Sequence, residues 1–268
     1  MTARYTLLAL ISLIVLMPFL WTLLSTLRPR NQLMSAQLFP RLADLTLANY
    51  AEVLQNDNYV AFLKNSFLYG CGAALFSVMI GLVAAFGFSR VNFRFKAQIF
   101  NTFIIIMMIP ALVVMVPLYM AFSKLKLLNP TGLVMIYAAG NVPFCMWLIK
   151  AFIDTIPREI DEAAYIDGCT KFMTLRHIAL PLSRAGLASA FIIVFVNSWN
   201  ELMYAETFLN NIWLKPVTSG ILLWKGSHGT DWAGLNTAAI FACVPILCIF
   251  FLLQDYFVNG LVAGSIKG

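Results

Sequence analysis

Long apolar runs recur at about residues 6 to 27, 67 to 89, 99 to 122, 132 to 153, 184 to 204 and 236 to 254, and nothing else restricts the folding of this chain so severely. A helix of about 20 apolar residues reaches across the hydrocarbon core of a bilayer, where each backbone amide must find its partner inside the segment. The expectation is an all-α, polytopic membrane protein with six transmembrane helices. Only 11% of the residues are charged, against about 25% in a soluble domain. Six spans and their connections use up the 268 residues, so 1–268 reads as a single transmembrane domain with no room for a large soluble one. The first run follows Arg4, is long for a signal peptide and lacks a small-residue cleavage site, and is kept as an anchor. The formal charge of +6 does not point to nucleic acid, because the basic residues are dispersed among loops without interleaved aromatics. Cys71, Cys145, Cys169, Cys243 and Cys248 show no metal-ligand spacing with His177 or His228 and read as small packing residues, so no metal site is expected.

A polar island at about 154–183 separates the fourth and fifth runs. Pro157 suits the first position of a helix, and Glu159, Asp161 and Glu162 put negative charge at the positive end of its dipole. Gly168 supplies a stop. A second short helix is expected from about Thr170 to Ile178, with Lys171, Arg176 and His177 on its polar side, before Pro181 breaks it. Phe172, Met173 and Leu175 form an apolar cluster in this charged stretch, a pattern that marks a surface another protein covers. Orientation follows from the short loop around Arg90, Arg94 and Lys96, which has no acidic residue and points to the cytoplasm. The island goes with it, and an even number of spans puts both termini on that side.

On the opposite side, Leu45 to Leu54 reads as a short amphipathic helix on the membrane surface. The loop from about Ala205 to Leu235 carries Trp213, Trp224 and Trp232, suited to the interfacial belt or to a soluble partner.

Asn197 and Glu201 are four residues apart and Tyr204 three beyond, which puts them on or near one face of the fifth helix. An ionisable group there lines a substrate path or sits at the outer water interface. Asn197, deeper in the span, offers an amide to a sugar hydroxyl or to a neighbouring helix. Trp199 stacks on a sugar ring or packs. Pro110, Pro117, Pro143 and Pro245 are expected to kink their helices, and Asn141 beside Pro143 and Tyr119 near Pro117 then present polar groups to a cavity.

The run EAAYIDG (Glu162 to Gly168) followed by HIALPL resembles the cytoplasmic loop of the permease subunits of bacterial ATP-binding cassette importers. Three further stretches resemble the carbohydrate branch of that family, the class of the second maltose permease. They are Met108 to Leu133, the triplet Trp199-Asn200-Glu201 and the ending Tyr256 to Gly268. Cys169 stands where the family commonly has alanine. The resemblance implies a permease domain in the bacterial inner membrane, multi-pass, whose coupling-helix loop lies between helices 4 and 5. It implies pairing with a second, homologous permease as a heterodimer, docking of two ATPase subunits, and sugar delivery by an extracytoplasmic binding protein. Glu162, Ala163, Ala164, Asp167, Gly168, Phe172, Met173 and Arg176 would then face the ATPase. Asn141, Tyr119, Asn197, Trp199, Asn200, Glu201 and Tyr204 are the candidates for the pathway. The tail from Asn259 enters the ATPase interface or is a disordered terminus. No G-x-x-x-x-G-K-[ST] loop occurs here, so this chain is expected to bind no cofactor, and ATP and Mg belong to the partner ATPase.

An ion-coupled secondary sugar transporter is the rival reading. It fits less well, because the middles of the spans lack carboxylates and no internal repeat is visible. A membrane-embedded enzyme needs a nucleophile with a base or a metal cluster, and His177 and His228 lie in loops on opposite sides of the bilayer.

Overall fold

A computed structural model describes residues 2–33, 44–226 and 229–265, with no side chain described beyond Asp255; His228 and tail residues 266–268 lie outside the described residues. The described residues are mostly helical. In order, the helices are α1 (Thr2–Thr26), α2 (Ala48–Gln55), α3 (Asp57–Arg90), α4 (Lys96–Ile106), α5 (Ala111–Lys124), α6 (Pro130–Ile153) and α7 (Arg158–Ile166). They continue with α8 (Lys171–Thr174), α9 (Leu180–Leu182), α10 (Arg184–Trp199), α11 (Met203–Phe208), α12 (Val217–Gly220) and α13 (Trp232–Ser265). A two-residue antiparallel ribbon, β1 (Lys225–Gly226) with β2 (Gly229–Thr230), precedes α13.

Among the described residues, four helices (α1, α3, α6 and α13) are each long and apolar enough to cross a membrane. Two bent pairs meet the same measure of length and apolarity only when joined, α4 with α5 at 95° and the segment Lys171–Leu182 with α10 at 76°, which makes six if each pair counts as one span. The third run is therefore broken where a kink was expected. Pro110 is the residue before α5 rather than a residue inside a helix, and it disfavours helical geometry at Ile109, so α4 stops at Ile106. Pro117, Pro143 and Pro245 lie inside helices that run on past them. The fifth run also ends early: α10 stops at Trp199, and Met203–Phe208 forms a separate short helix.

Helix α3 crosses α6 and α10 along small residues. Gly70, Ala73, Ala74, Ser77, Gly81 and Ala85 are all buried, at the three- and four-residue spacing that lets backbones approach. At Gly81 an added Cβ would lie 2.5 Å from the Cys145 Cβ of α6. The Ser77 hydroxyl donates across the seam to the Ala138 carbonyl at 3.0 Å. Helix α13 packs on α10, and α1 rests on the edge of α13 with its apolar surface otherwise outward, as lipid requires.

Helix α3 begins about ten residues before its apolar run. Asn56 caps it, its carbonyl oxygen accepting from the Tyr59 N–H at 3.2 Å. The polar extension holds the loop that follows α11. Asn65 Nδ2 donates to the carbonyls of Trp213 (2.8 Å) and Lys215 (3.0 Å), the Tyr69 hydroxyl donates to Leu214, and the Ser66 hydroxyl accepts from the Val217 N–H. The expected amphipathic helix forms as α2. It is also clamped to the bundle: Asn49 is buried and donates to the carbonyls of Thr26 and Arg28, each at 2.8 Å.

Candidate functional site

The polar island folds into an elbow. Pro157 is the residue before α7, one position earlier than expected, and Glu159 and Asp161 fall in the first turn. Helix α7 ends at Ile166, and Gly168 two residues on turns the chain with φ +86°, a left-handed conformation that costs an L-residue with a Cβ but not glycine. The Gly168 N–H bonds the Tyr165 carbonyl and the Cys169 N–H bonds the Ala164 carbonyl, the paired bonds of a Schellman ending. Thr170 then caps α8, its hydroxyl accepting from the Met173 N–H at 3.3 Å. Pro181 does not break the second helix. A π turn at Leu175–Ala179 precedes it, with the Leu180 N–H reaching back to Leu175, and the chain stays helical to Leu182. The sharp bend comes after that, at Ser183.

The outer face of this elbow is apolar in its centre. Ile166 is 87% exposed and Phe172 67%, with Tyr165 and Met173 beside them. Glu162, Ala163, Asp167, Gly168 and Arg176 are exposed around that patch, whereas Ala164 is buried against the elbow's own interior. Glu162 takes part in no ion pair among the described residues.

A polar mount, not foreseen in the sequence, fastens the elbow to the spans. Arg90 Nε at the end of α3 lies 2.5 Å from Asp161 Oδ2 of α7, a charge contact not aligned as a hydrogen bond, with only 7% and 6% of the two side chains exposed. Its Nη2 donates to the Ile156 carbonyl at 2.7 Å. Next to it the Ser89 hydroxyl donates to Asp154 at 2.6 Å, and Lys150 bonds the other Asp154 oxygen at 2.5 Å. Burial pushes the Asp154 carboxyl up, but the bonds from Lys150 and Ser89 and the charges of Lys150 and Arg90 outweigh it and hold the group below the usual carboxylate range. Arg90 and Asp161 are 71 residues apart in the chain, and no local pattern links them.

The second candidate site is a cavity of about 430 Å³ between the α4–α5 break, α6, α10 and the start of α11. Its walls are mostly apolar, with Tyr137, Asn141, Asn197, Ser198, Glu201 and Tyr204 as the polar lining. Asn197 Nδ2 lies 3.4 Å from Asn141 Oδ1, a loose contact that leaves both amides with spare bonding capacity. The Ser198 hydroxyl is buried and has no hydrogen-bond partner among the described residues. Its residue type gave no signal in the sequence.

Glu201 reaches the cavity by a different route from the one expected. It lies beyond the end of α10, not on a helical face with Asn197. Its carboxylate accepts from the Tyr137 hydroxyl at 2.6 Å and from the Tyr204 and Ala205 N–H groups at 2.8 and 3.2 Å, which caps α11. Those bonds occupy most of its acceptor capacity and give it a structural duty. The Tyr204 hydroxyl donates to the Ala111 carbonyl at 3.2 Å, tying α11 to the α5 end of the break.

Three other candidates are placed elsewhere. Trp199 is 2% exposed and packs on Phe195 in the core, so its ring cannot meet a sugar. Asn200 is exposed and ends α10. Tyr119 packs edge-on to Phe208 outside the cavity lining. The five cysteines are free thiols, and no cluster of metal-binding side chains occurs among the described residues.

Residues 77–262 match the family described as binding-protein-dependent transport system inner membrane component. The chain is 32% identical to the sulfoquinovosyl glycerol transport system permease protein of Agrobacterium fabrum over 94% of its length and 89% of that protein's. It is 31% identical to the trehalose/maltose transport system permease protein of Thermococcus litoralis, covering 97% and 94% of the two chains. In structure it resembles a chain of a bacterial ABC transporter that imports the acidic polysaccharide alginate, with a TM-score of 0.82, 17% identity, and 96% and 95% of the two chains covered.

Proposed function

The chain belongs to the family of binding-protein-dependent transport system inner membrane components, and from that premise we propose that it forms half of the translocation pathway of an ATP-driven carbohydrate importer, coupled to a cytoplasmic ATPase through the α7–α8 elbow. Members of the family are transport components and not enzymes, and this chain is a multi-pass membrane protein of that kind. The observation that carries the coupling is the exposed patch of Ile166, Phe172 and Met173 on an elbow joined to α3 by the buried Arg90–Asp161 contact. An apolar knob joined in this way to a long span carries displacement into that span when a partner moves it.

In this reading the elbow, both termini and the Arg90 loop face the cytoplasm. A second, homologous permease closes the other side of the pathway, two ATPase subunits receive the two elbows, and a binding protein outside the membrane delivers the cargo. ATP and Mg are held by the ATPase subunits. The sugar meets Asn141, Asn197 and the unpartnered Ser198 hydroxyl, a small set of polar groups in an apolar wall. No basic side chain projects into that lining, which favours a neutral glycoside. The relatives named for trehalose or maltose and for diacetylchitobiose agree with that, whereas sulfoquinovosyl glycerol carries an ionised sulfonate, so the relatives together favour glycosides without fixing their charge.

The test is co-purification. Tagged chain expressed with its neighbouring genes should retain an ATPase subunit, and Glu162→Lys or Gly168→Val should release it and abolish uptake while the chain still inserts. Full retention and full uptake in both variants would sink the proposal.

A further inference from the structure

Beside the mount of the elbow lies a polar pocket of about 550 Å³, lined by the cations Arg90, Lys96, Lys150 and Arg158 against the two carboxylates Asp154 and Glu159. Two of the cations are already committed, Arg90 to Asp161 and Lys150 to Asp154. Lys96 and Arg158 take part in no ion pair among the described residues. Cations gathered this closely repel one another, and an anion placed between them relieves that repulsion.

A second cleft, of about 330 Å³, adjoins the pocket and shares Phe88, Lys96 and Lys150 with it. Its remaining walls are Ala97, Phe100 and Asn101, in the first turns of α4, a helix none of whose side chains is buried by the rest of the chain. Phe93, Phe95 and Ile99 are exposed on the same end of the molecule. A charged compartment at the end of α3 therefore adjoins a smaller one whose wall along α4 is mostly apolar, with two lysines at the join.

We propose that this paired cavity binds an anionic phospholipid, its phosphodiester between Lys96 and Arg158 and an acyl chain along Phe88, Ala97 and Phe100. The shared chemistry with free phosphate is the phosphoryl anion; the adjoining apolar cleft is what selects the lipid. Basic pockets between helix ends at a membrane surface take anionic headgroups in this manner. The bound lipid would brace α4 against α6 and α7 at the foot of the elbow, so the site goes beyond sugar passage and does not depend on the cargo.

Native mass spectrometry of the purified full chain tests this, with phosphatidylglycerol, phosphatidylcholine and inorganic phosphate as separate titrants. Phosphatidylglycerol should bind more tightly than phosphatidylcholine. The variant K96Q/R158Q should weaken phosphatidylglycerol by about fivefold per charge removed and leave phosphatidylcholine unchanged, and the charge-keeping K96R/R158K should retain it. Ala97→Leu, which fills the cleft without altering charge, should weaken the lipid and not the phosphate. Unchanged phosphatidylglycerol binding in K96Q/R158Q, or its displacement by inorganic phosphate at equal concentration, would overturn the proposal.

Discussion

Removing the Arg90 guanidinium is the most direct test of how the elbow is held. The pair with Asp161 is 2.5 Å long and its side chains are 7% and 6% exposed, so solvent screens it little. Substituting Arg90→Met leaves a buried carboxylate without its counter-charge and frees the Ile156 carbonyl that Arg90 also binds at 2.7 Å. Breaking one side of a buried pair costs about 3–5 kcal/mol. At about 1.4 kcal/mol per factor of ten, that raises local opening of the elbow by two to three and a half orders of magnitude or so. Hydrogen exchange of the α7 peptide in nanodiscs reads the opening directly, because α7 amides exchange through detachment from the mount while the α3–α6 seam stays closed. Arg90→Met combined with Asp161→Leu should recover most of the protection, since it removes both charges at once. The reasoning is refuted if the single variant exchanges like the parent, or if the double variant is at least as labile as the single one.

Asn141→Ala and Asn197→Ala should each raise the KM for sugar uptake by about 3- to 10-fold, the worth of one hydrogen bond, with basal ATPase activity of the complex unchanged. Trp199→Ala should cost about 3–5 kcal/mol of stability as a core truncation, seen as a lower melting temperature, with the ranking of sugars in uptake preserved. Asp154 is held below its ordinary value in the fold, so its contribution is fully present above the usual carboxylate pKa of about 4 and is lost as pH falls through the lower folded value. Proteolysis of the elbow should therefore accelerate in acid below about pH 4, and Asp154→Asn should remove that part of the pH dependence.

The elbow was legible because its signals are local. The stop at Gly168, the helix start near Thr170 and the acidic first turn of α7 each act within one helical turn of themselves, and the structure realises the first two as a left-handed glycine and a threonine cap. Pro181 misled for a related reason: the π turn that accommodates it is a property of the chain's path, not of residue type. Asn141, Asn197, Glu201 and Tyr204 were named from the sequence and do share a cavity, but the common helical face invoked for the last three does not exist. Trp199 was left open between stacking and packing, and a 2% exposure decides for packing.

Hydropathy alone determined that this chain lives in a bilayer, about how many times its apolar runs recur, and where its polar elbow interrupts them. It could not say which face of a run meets lipid and which meets protein, because both surroundings are apolar and favour the same side chains. Tertiary structure decided that the third run breaks by 95° at Pro110 and that α10 stops at Trp199, and these two events open the cavity. It also decided that Arg90 meets Asp161 across 71 residues. Such pairings depend on how helices cross at small residues like Gly81, where a Cβ would already touch the neighbouring helix. Spacing within one helix carries no record of that crossing.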